Sequence, residues 1–378
     1  MNKPKTFYKE YQKIKSLIPN TKLVRAFDEL KRILGGRPLV LYGAGWYSGL
    51  YLEYCMEQGL DVTCIGDTYK TGRHECGLPI VDMPTLVAKY PDAIILISSP
   101  KFYDEIYLSL TQRWMVGERL FQYPPELVTQ LRAWRFERKH RDGYAWAYSF
   151  FSDEPSRQMI MERVRMYLLE EQPNPNSDSE VYYECGYISL VKNEVFVDAG
   201  ARNGDTVESF LAKMKDARMP WRRIYAFEPS WESCKEARLR LNDRNDVEII
   251  QMGLWSCETT LPFFVSSQHS GANSFILQDG EGIPLPLTSL DIFFRNKPGS
   301  EWPTFIKMDI EGSEKEALIG STEIIRRVKP KLAICSYHKA EDLYELPRTI
   351  MDIRDDYKFA LRTHAPSGIP NELILYAV

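Results

Sequence analysis

The stretch Glu194-Val-Phe-Val-Asp198, followed by Ala199-Gly200-Ala-Arg-Asn-Gly204-Asp205-Thr206, restricts the fold of this chain more than any other. Its short apolar run reads as a buried strand. The glycines let the chain turn sharply into a helix through Met214 and let a ligand lie against backbone N–H groups at the helix start. Strand, glycine turn and helix form the unit from which parallel α/β sheets are built. Charge narrows the ligand: Asp198 closes the strand and Asp205 follows the second glycine, so a dinucleotide pyrophosphate would meet like charge. A cationic ligand is expected.

Further strands follow in the same style. Arg223-Ile-Tyr-Ala-Phe-Glu228-Pro229-Ser230 ends in an acid, where a carboxylate accepts both hydroxyls of a ribose. A phosphate-free, cationic nucleoside satisfies both clues, and S-adenosylmethionine is one. Val247 to Trp255 supplies a third strand whose end, at Gly253 and Leu254, walls an adenine with apolar side chains. Thr304 to Glu314 is a fourth, with Asp309 and Glu311 at the carboxyl end, the edge where open α/β sheets bind ligands. Lys331 to Ser336 is a fifth, running into Tyr337-His338-Lys339. Phe359 to Arg362 and Leu373 to Val378 read as an antiparallel pair joined by a loop containing Pro366, Gly368 and Pro370.

The ordered set VDAGARNGDT, YAFEPS, FIKMDIEGSEKEAL, KLAICSYHKAEDL and ELILYAV resembles the FkbM-type methyltransferases over residues 187–378. The resemblance implies a class I methyltransferase fold, a seven-stranded sheet with an antiparallel terminal hairpin, and S-adenosylmethionine as donor. It also implies a hydroxyl of a sugar, glycan or secondary metabolite as acceptor, as in polysaccharide biosynthesis. Asp198, Gly200, Gly204 and Glu228 match the family's cofactor positions. With Ala201, Asn203, Asp205, Thr206, Pro229, Gly253, Leu254 and Asp309 they form the expected cofactor site. Arg202-Asn203 stand where apolar or aromatic residues are common. The Asp309 to Glu314 and His338-Lys339 segments match the active-site edge.

An alcohol must lose its proton as the methyl arrives, which requires a base in hydrogen-bond reach. His338 is the expected base, because imidazole takes protons near neutrality. Asp309 or Glu311 would orient it or the acceptor, with Lys339 beside them. A lysine next to a hard cation is unfavourable, so no metal is expected at Asp309.

Upstream, apolar residues at helical spacing over residues 1–35 give two helices ended by Gly35-Gly36. Residues 36–123 alternate β and α. Gly43 and Gly45 follow one strand and Asp67 the next, a pattern similar to nucleotide-sugar-binding modules, and Asp67 also fits a ribose contact in a dinucleotide site. Pro124-Pro125 mark a boundary. Residues 124–186 form a helical connector, helical over Glu126 to Tyr148 and Glu154 to Glu171, closed by the linker Pro173 to Ser179. The expectation is an α/β protein of two Rossmann-like domains, the second at 187–378.

Apolar residues at 44% and charged residues at 26% describe a folded chain, and a net charge of −4 argues against nucleic acid as a partner. The basic run Arg132, Arg135, Arg138, Lys139, His140 and Arg141 reads as a solvated helix face. No apolar run reaches the length of a membrane span. Seven scattered cysteines without a CxxC pair fit reduced thiols in a cytoplasm. His74 with Cys76 lacks the second pair a metal would need. Trp255, Phe263 and Phe264 read as core or strand-face residues, and Gln268-His269-Ser270 as a polar loop. An oligomer is compatible with these features. Two other functions stay open: an NAD-dependent oxidoreductase using residues 36–123, and a nucleotide-sugar-binding scaffold with an inactive transferase site.

Overall fold

A computed structural model describes residues 3–18, 20–74, 76–123, 126–171, 182–183, 186–242, 244–264, 282–364 and 372–378. The Pro124-Pro125 boundary, the Pro173 to Ser179 linker, the Gln268 to Ser270 loop and the loop at Pro366 to Pro370 lie outside them. The chain divides into two compact units. One comprises residues 9–141 and 165–170, the other residues 1–8, 142–164 and 171–378. The segment expected to act as one connector, 124–186, is thus shared between them. Its first helix, Leu127–Lys139, stops at His140 and a second runs Arg141–Phe150, where one continuous helix was expected.

In the first unit, six strands share a sheet. They are β1 (Leu39–Tyr42), β2 (Val62–Gly66), β3 (Gly72–Arg73), β4 (Pro79–Val81), β5 (Ile94–Ile97) and β6 (Leu120–Phe121). Their order is β3-β4-β2-β1-β5-β6, parallel except for β3. Strands β1 and β5 are buried along their whole length, which is why they read as unbroken apolar runs. Helix Thr21–Leu34 buries Leu23, Phe27, Leu30 and Leu34 at helical spacing and ends on Gly35 at φ +51°. The basic run on Leu127–Lys139 is consumed by carboxylates. Arg135 and Lys139 pair with Glu53, Arg138 with Glu57 and Arg132 with Glu170.

The second unit is built on β7 (Glu194–Ala199), β8 (Trp221–Phe227), β9 (Val247–Ile250), β10 (Gly253–Leu254), β11 (Thr259–Phe264), β12 (Gly282–Thr288), β13 (Phe305–Met308), β14 (Lys331–Cys335), β15 (Phe359–Arg362) and β16 (Ile374–Ala377). Seven of these form one sheet in the order β15-β16-β14-β13-β7-β8-β9. β16 runs antiparallel between β14 and β15, so the terminal hairpin is present, while the other pairings are parallel. Strand order reverses between β7 and β13, and a crevice opens there at the carboxyl ends of the strands. On one side of β7, Phe196 stacks on Phe210 of helix Asp205–Asp216 with centroids 4.5 Å apart, clamping that helix to the strand that precedes it. A second sheet, β10-β12-β11, was not foreseen. Pro262 in β11 and Pro284 and Pro286 in β12 hide those strands from a reading by pattern.

Candidate active site

The glycine loop after β7 is held from below by one ion pair. Asp198 and Lys307 are register partners on β7 and β13, both fully buried, with Nζ 2.9 Å from Oδ1. Lys307 also donates to the carbonyls of Ala199 (3.3 Å) and Gly200 (2.9 Å), which completes its three hydrogen bonds. Burial alone would lower the lysine pKa. Asp198 and Asp309 more than reverse this and hold it above the ordinary lysine value. Asp198 therefore anchors the loop and does not line a cavity.

Four of the loop amides are committed as well. Gly200 and Ala201 donate to Phe227 O, Gly204 to Ala201 O, and Arg202 to Glu228 Oε2. The expected cradle of free N–H groups is thus narrowed: the fold itself uses those of Gly200, Ala201, Arg202 and Gly204. Gly200 sits at φ +79°, and a Cβ there would stand 1.8 Å from Asp309 O, so only glycine fits. Ala201 is buried in the core. Gly204, at φ +81°, packs against Leu241, and Asn203 lies between Asp205 (3.3 Å) and Arg240 (3.2 Å) with its amide oriented to suit both. Among the described residues, these three line neither of the two cavities at this edge.

The first cavity, about 210 Å³, has an apolar wall of Phe227, Met252, Leu254 and Phe263. Phe263, read from the sequence as a core or strand-face residue ahead of a cofactor stacker, lines it. Gly253, Pro229, Glu228, Asp309 and Glu311 also line it. Glu228 ends β8, and its carboxylate is pinned by the N–H groups of Arg202 and Ser230, each at 2.9 Å. Burial pushes its pKa up. A carboxylate has about four acceptor positions, so two stay open. The adjoining cavity is lined by Asp205, Thr206, Lys307 and Tyr182, and shares Gly200, Arg202, Asp309 and Glu372 with the first.

At the end of β13, Asp309 accepts from Tyr182 (3.1 Å) and Tyr337 (3.3 Å). Glu311 and Gly312 follow at φ +54° and +94°, a left-handed turn that aims Glu311 into the cavity mouth. Glu314 is fully buried and accepts from Ile310 N–H at 2.9 Å. Lys339 donates through Nζ to Gly312 O and through its backbone to Asp342, so it braces this turn and lines neither cavity.

His338 differs from the expectation of a neutral base. Its Nδ1 lies 3.0 Å from Glu314 Oε1, and its Nε2 lies 3.4 Å from Asp309 Oδ1 and 3.5 Å from Glu311 Oε2. Burial lowers an imidazole pKa, but the three carboxylates outweigh it and raise the value to about 9. At neutral pH His338 is an imidazolium. Glu311 moves into the working range instead: burial lifts it to about 7 in spite of His338. Glu372, which the sequence reading missed, is likewise lifted to about 7 by burial and by Asp309. One ligand atom each from Asp309, Glu314 and His338 lie within 4.8 Å of one another. A cation there would have to displace a proton that the imidazole holds tightly.

In the first unit, Gly43, Gly45 and Asp67 meet at the carboxyl ends of β1 and β2. The expected ribose contact is corrected: the Asp67 carboxylate accepts from the N–H groups of Ala44 (2.7 Å), Tyr69 (2.8 Å) and Lys70 (3.0 Å), closing its own loop. The close approach at Gly43 is made by Ser99, whose Cβ would stand 2.7 Å from any Cβ added to the glycine.

Sheet order and crevice define an open α/β fold with its ligand edge at the switch between β7 and β13, and comparison with known proteins shows what the chain is similar to. Residues 198–359 match the family described as the methyltransferase FkbM domain. The chain is similar in fold to a methyltransferase FkbM from Methylobacillus flagellatus KT, at 21% identity and a TM-score of 0.55, covering 99% of this chain and 100% of that one. Aeropyrum pernix fibrillarin, solved with bound S-adenosyl-L-methionine, aligns at 15% identity and a TM-score of 0.32 over 51% of this chain and 70% of its own. An rRNA methylase from Streptococcus thermophilus aligns at 16% identity and 0.31 over 50% and 87%. No curated protein sequence matches.

Proposed function

We propose that this chain is an S-adenosylmethionine-dependent O-methyltransferase acting on a hydroxyl of a sugar, glycan or secondary metabolite. We read the six-stranded and the seven-stranded sheets as Rossmann-like and only the seven-stranded one as catalytic. The observation that carries the reading is the cofactor edge itself: an apolar wall, a pinned acid at Glu228, and a glycine loop in which the N–H groups of Gly200, Ala201, Arg202 and Gly204 are committed. A pyrophosphate finds no free cradle there, whereas a phosphate-free nucleoside finds a ribose acceptor and a flat apolar slot.

When bound, S-adenosylmethionine supplies an electrophilic methyl group on a sulfonium. Glu228 would hold the ribose hydroxyls, and the Phe227, Met252, Leu254 and Phe263 wall would take the adenine. Asp309, kept ionised by Lys307 and His338 in spite of burial, faces the cationic end. Glu311 takes the acceptor's proton through its carboxylate, with a pKa near 7 that matches the task. His338 acts as a fixed positive charge that orients Glu311. In-line transfer depends chiefly on this alignment. Among the described residues no helix is long and apolar enough to cross a membrane. The scattered cysteines, without a CxxC pair, support a cytoplasmic setting for the enzyme.

Calorimetry on the full chain with S-adenosylmethionine and, separately, NAD tests the reading, followed by a radiolabelled methyl assay against sugars, nucleotide sugars and glycans. Tight binding of the first ligand and none of the second is expected. NAD binding without S-adenosylmethionine binding would replace the reading with an oxidoreductase.

A further inference from the structure

The turn between β3 and β4 is closed by His74 N–H to Leu78 O (2.9 Å) and Gly77 N–H to His74 O (2.8 Å). This seats the His74 ring between two side chains. Nε2 lies 3.0 Å from Ser48 Oγ, and Nδ1 lies 2.8 Å from Cys76 Sγ.

The protons in this row can be assigned from the surrounding bonds. Ser48 is fully buried and donates its hydroxyl to Gly45 O, so its oxygen is left to accept and His74 Nε2 carries the hydrogen. Nδ1 is then the lone-pair nitrogen. Independently, Nδ1 accepts the Cys76 backbone N–H at 3.3 Å, which requires the same tautomer. A thiol thus faces a base whose other nitrogen is locked by a third group, the arrangement that activates a nucleophile.

Among the described residues, the remaining cysteines have no such setting. Burial pushes the Cys55 thiol up to about 12 and the Cys64 and Cys234 thiols up to about 11, so these stay protonated and covered. Cys335 is also buried. Cys257 is exposed like Cys76, but no imidazole stands against it among the described residues. The pair therefore offers a built-in comparison of one exposed thiol with a base and one without.

We propose that Ser48, His74 and Cys76 form a modification site, with Cys76 a nucleophilic thiol that takes disulfides by exchange. The Sγ proton passes to His74 Nδ1. Cys76 Sγ forms a bond to one sulfur of the incoming disulfide while that S–S bond breaks, and the other half leaves as a thiolate that takes up the proton. The Cys76 sulfur rises to the disulfide level as the departing sulfur falls to the thiol level, so the exchange balances and no further oxidant enters.

The probe is 5,5′-dithiobis(2-nitrobenzoate), a disulfide whose leaving thiolate is coloured, added in excess to the full chain at pH 7 with the modified cysteines mapped by mass spectrometry. Cys76 is expected to react roughly tenfold faster than Cys257. Cys76→Ser should abolish the fast phase, His74→Asn should slow Cys76 to the rate of Cys257, and Ser48→Ala should slow it several-fold while the circular dichroism spectrum is kept. Equal rates at Cys76 and Cys257 in the unaltered chain would overturn the proposal, and so would a fast phase that survives His74→Asn. If His74→Asn does not fold, the wild-type rate ratio and Ser48→Ala decide.

Discussion

The division of labour between Glu311 and His338 can be tested by replacing His338 with Asn. At 3.5 Å the imidazolium favours the charged form of Glu311. At an effective dielectric of 20, Coulomb's law gives about 5 kcal/mol for unit charges at that distance, an upper bound. The Glu311 side chain is 27% exposed, so solvent screening reduces this, and a pKa rise of roughly one to two units is the reasonable expectation. The sign is fixed: losing a neighbouring cation raises the carboxyl pKa. In the unaltered enzyme, methyl transfer should rise as pH passes through about 7, where Glu311 ionises. In His338→Asn that limb should move to higher pH with activity largely regained on its plateau. The assay is kcat/KM against pH, with the imidazole followed by NMR. If His338 titrates near its ordinary value of about 6.5, or if His338→Asn abolishes transfer at every pH while cofactor affinity is kept, then His338 is the base and the scheme fails.

Other perturbations have equally definite outcomes. Gly200→Ala drives a methyl into Asp309 O and should cost about 2 kcal/mol or more by backbone conformation and overpacking, read as a lower melting temperature together with weakened cofactor binding. Lys307→Met strands the buried Asp198 and should destabilise by about 3 to 5 kcal/mol in urea unfolding; a loss under about 1 kcal/mol would show that the pair does not anchor the loop. Glu228→Gln should weaken S-adenosylmethionine binding by roughly 1.5 to 3 kcal/mol in calorimetry, the size of a hydrogen bond to a charged group. Chelator should leave transfer unchanged, because His338 keeps its proton; a strict demand for a divalent ion would assign Asp309, Glu314 and His338 to a metal.

The central strands were legible because β7, β13, β14 and the carboxyl half of β8 from Ile224 are buried and therefore nearly uninterrupted apolar runs. Lys307 was the exception worth reading harder: a lysine inside such a run demands a buried partner, and Asp198 is the acid at the matching place on β7. The protonation of His338 was not legible. It depends on three carboxylates brought round it by the turn after β13, and imidazole chemistry alone suggests the opposite state. The free loop amides were misjudged for a similar reason, since a glycine turn looks the same in sequence whether its N–H groups face a ligand or Phe227 O and Glu228. Glu372 opens the ELILYAV stretch but was given no role, because an acid just before a terminal strand carries no site pattern; only the burial of its neighbours makes it a site residue.

Because Lys307 grips the carbonyls of Ala199 and Gly200 from inside the sheet, the turn above them has its shape before any nucleoside arrives. Little ordering entropy is then spent on association at that segment, and affinity there should track contact quality more than loop closure. A receptor fastened from beneath meets its guest as a fixed mould.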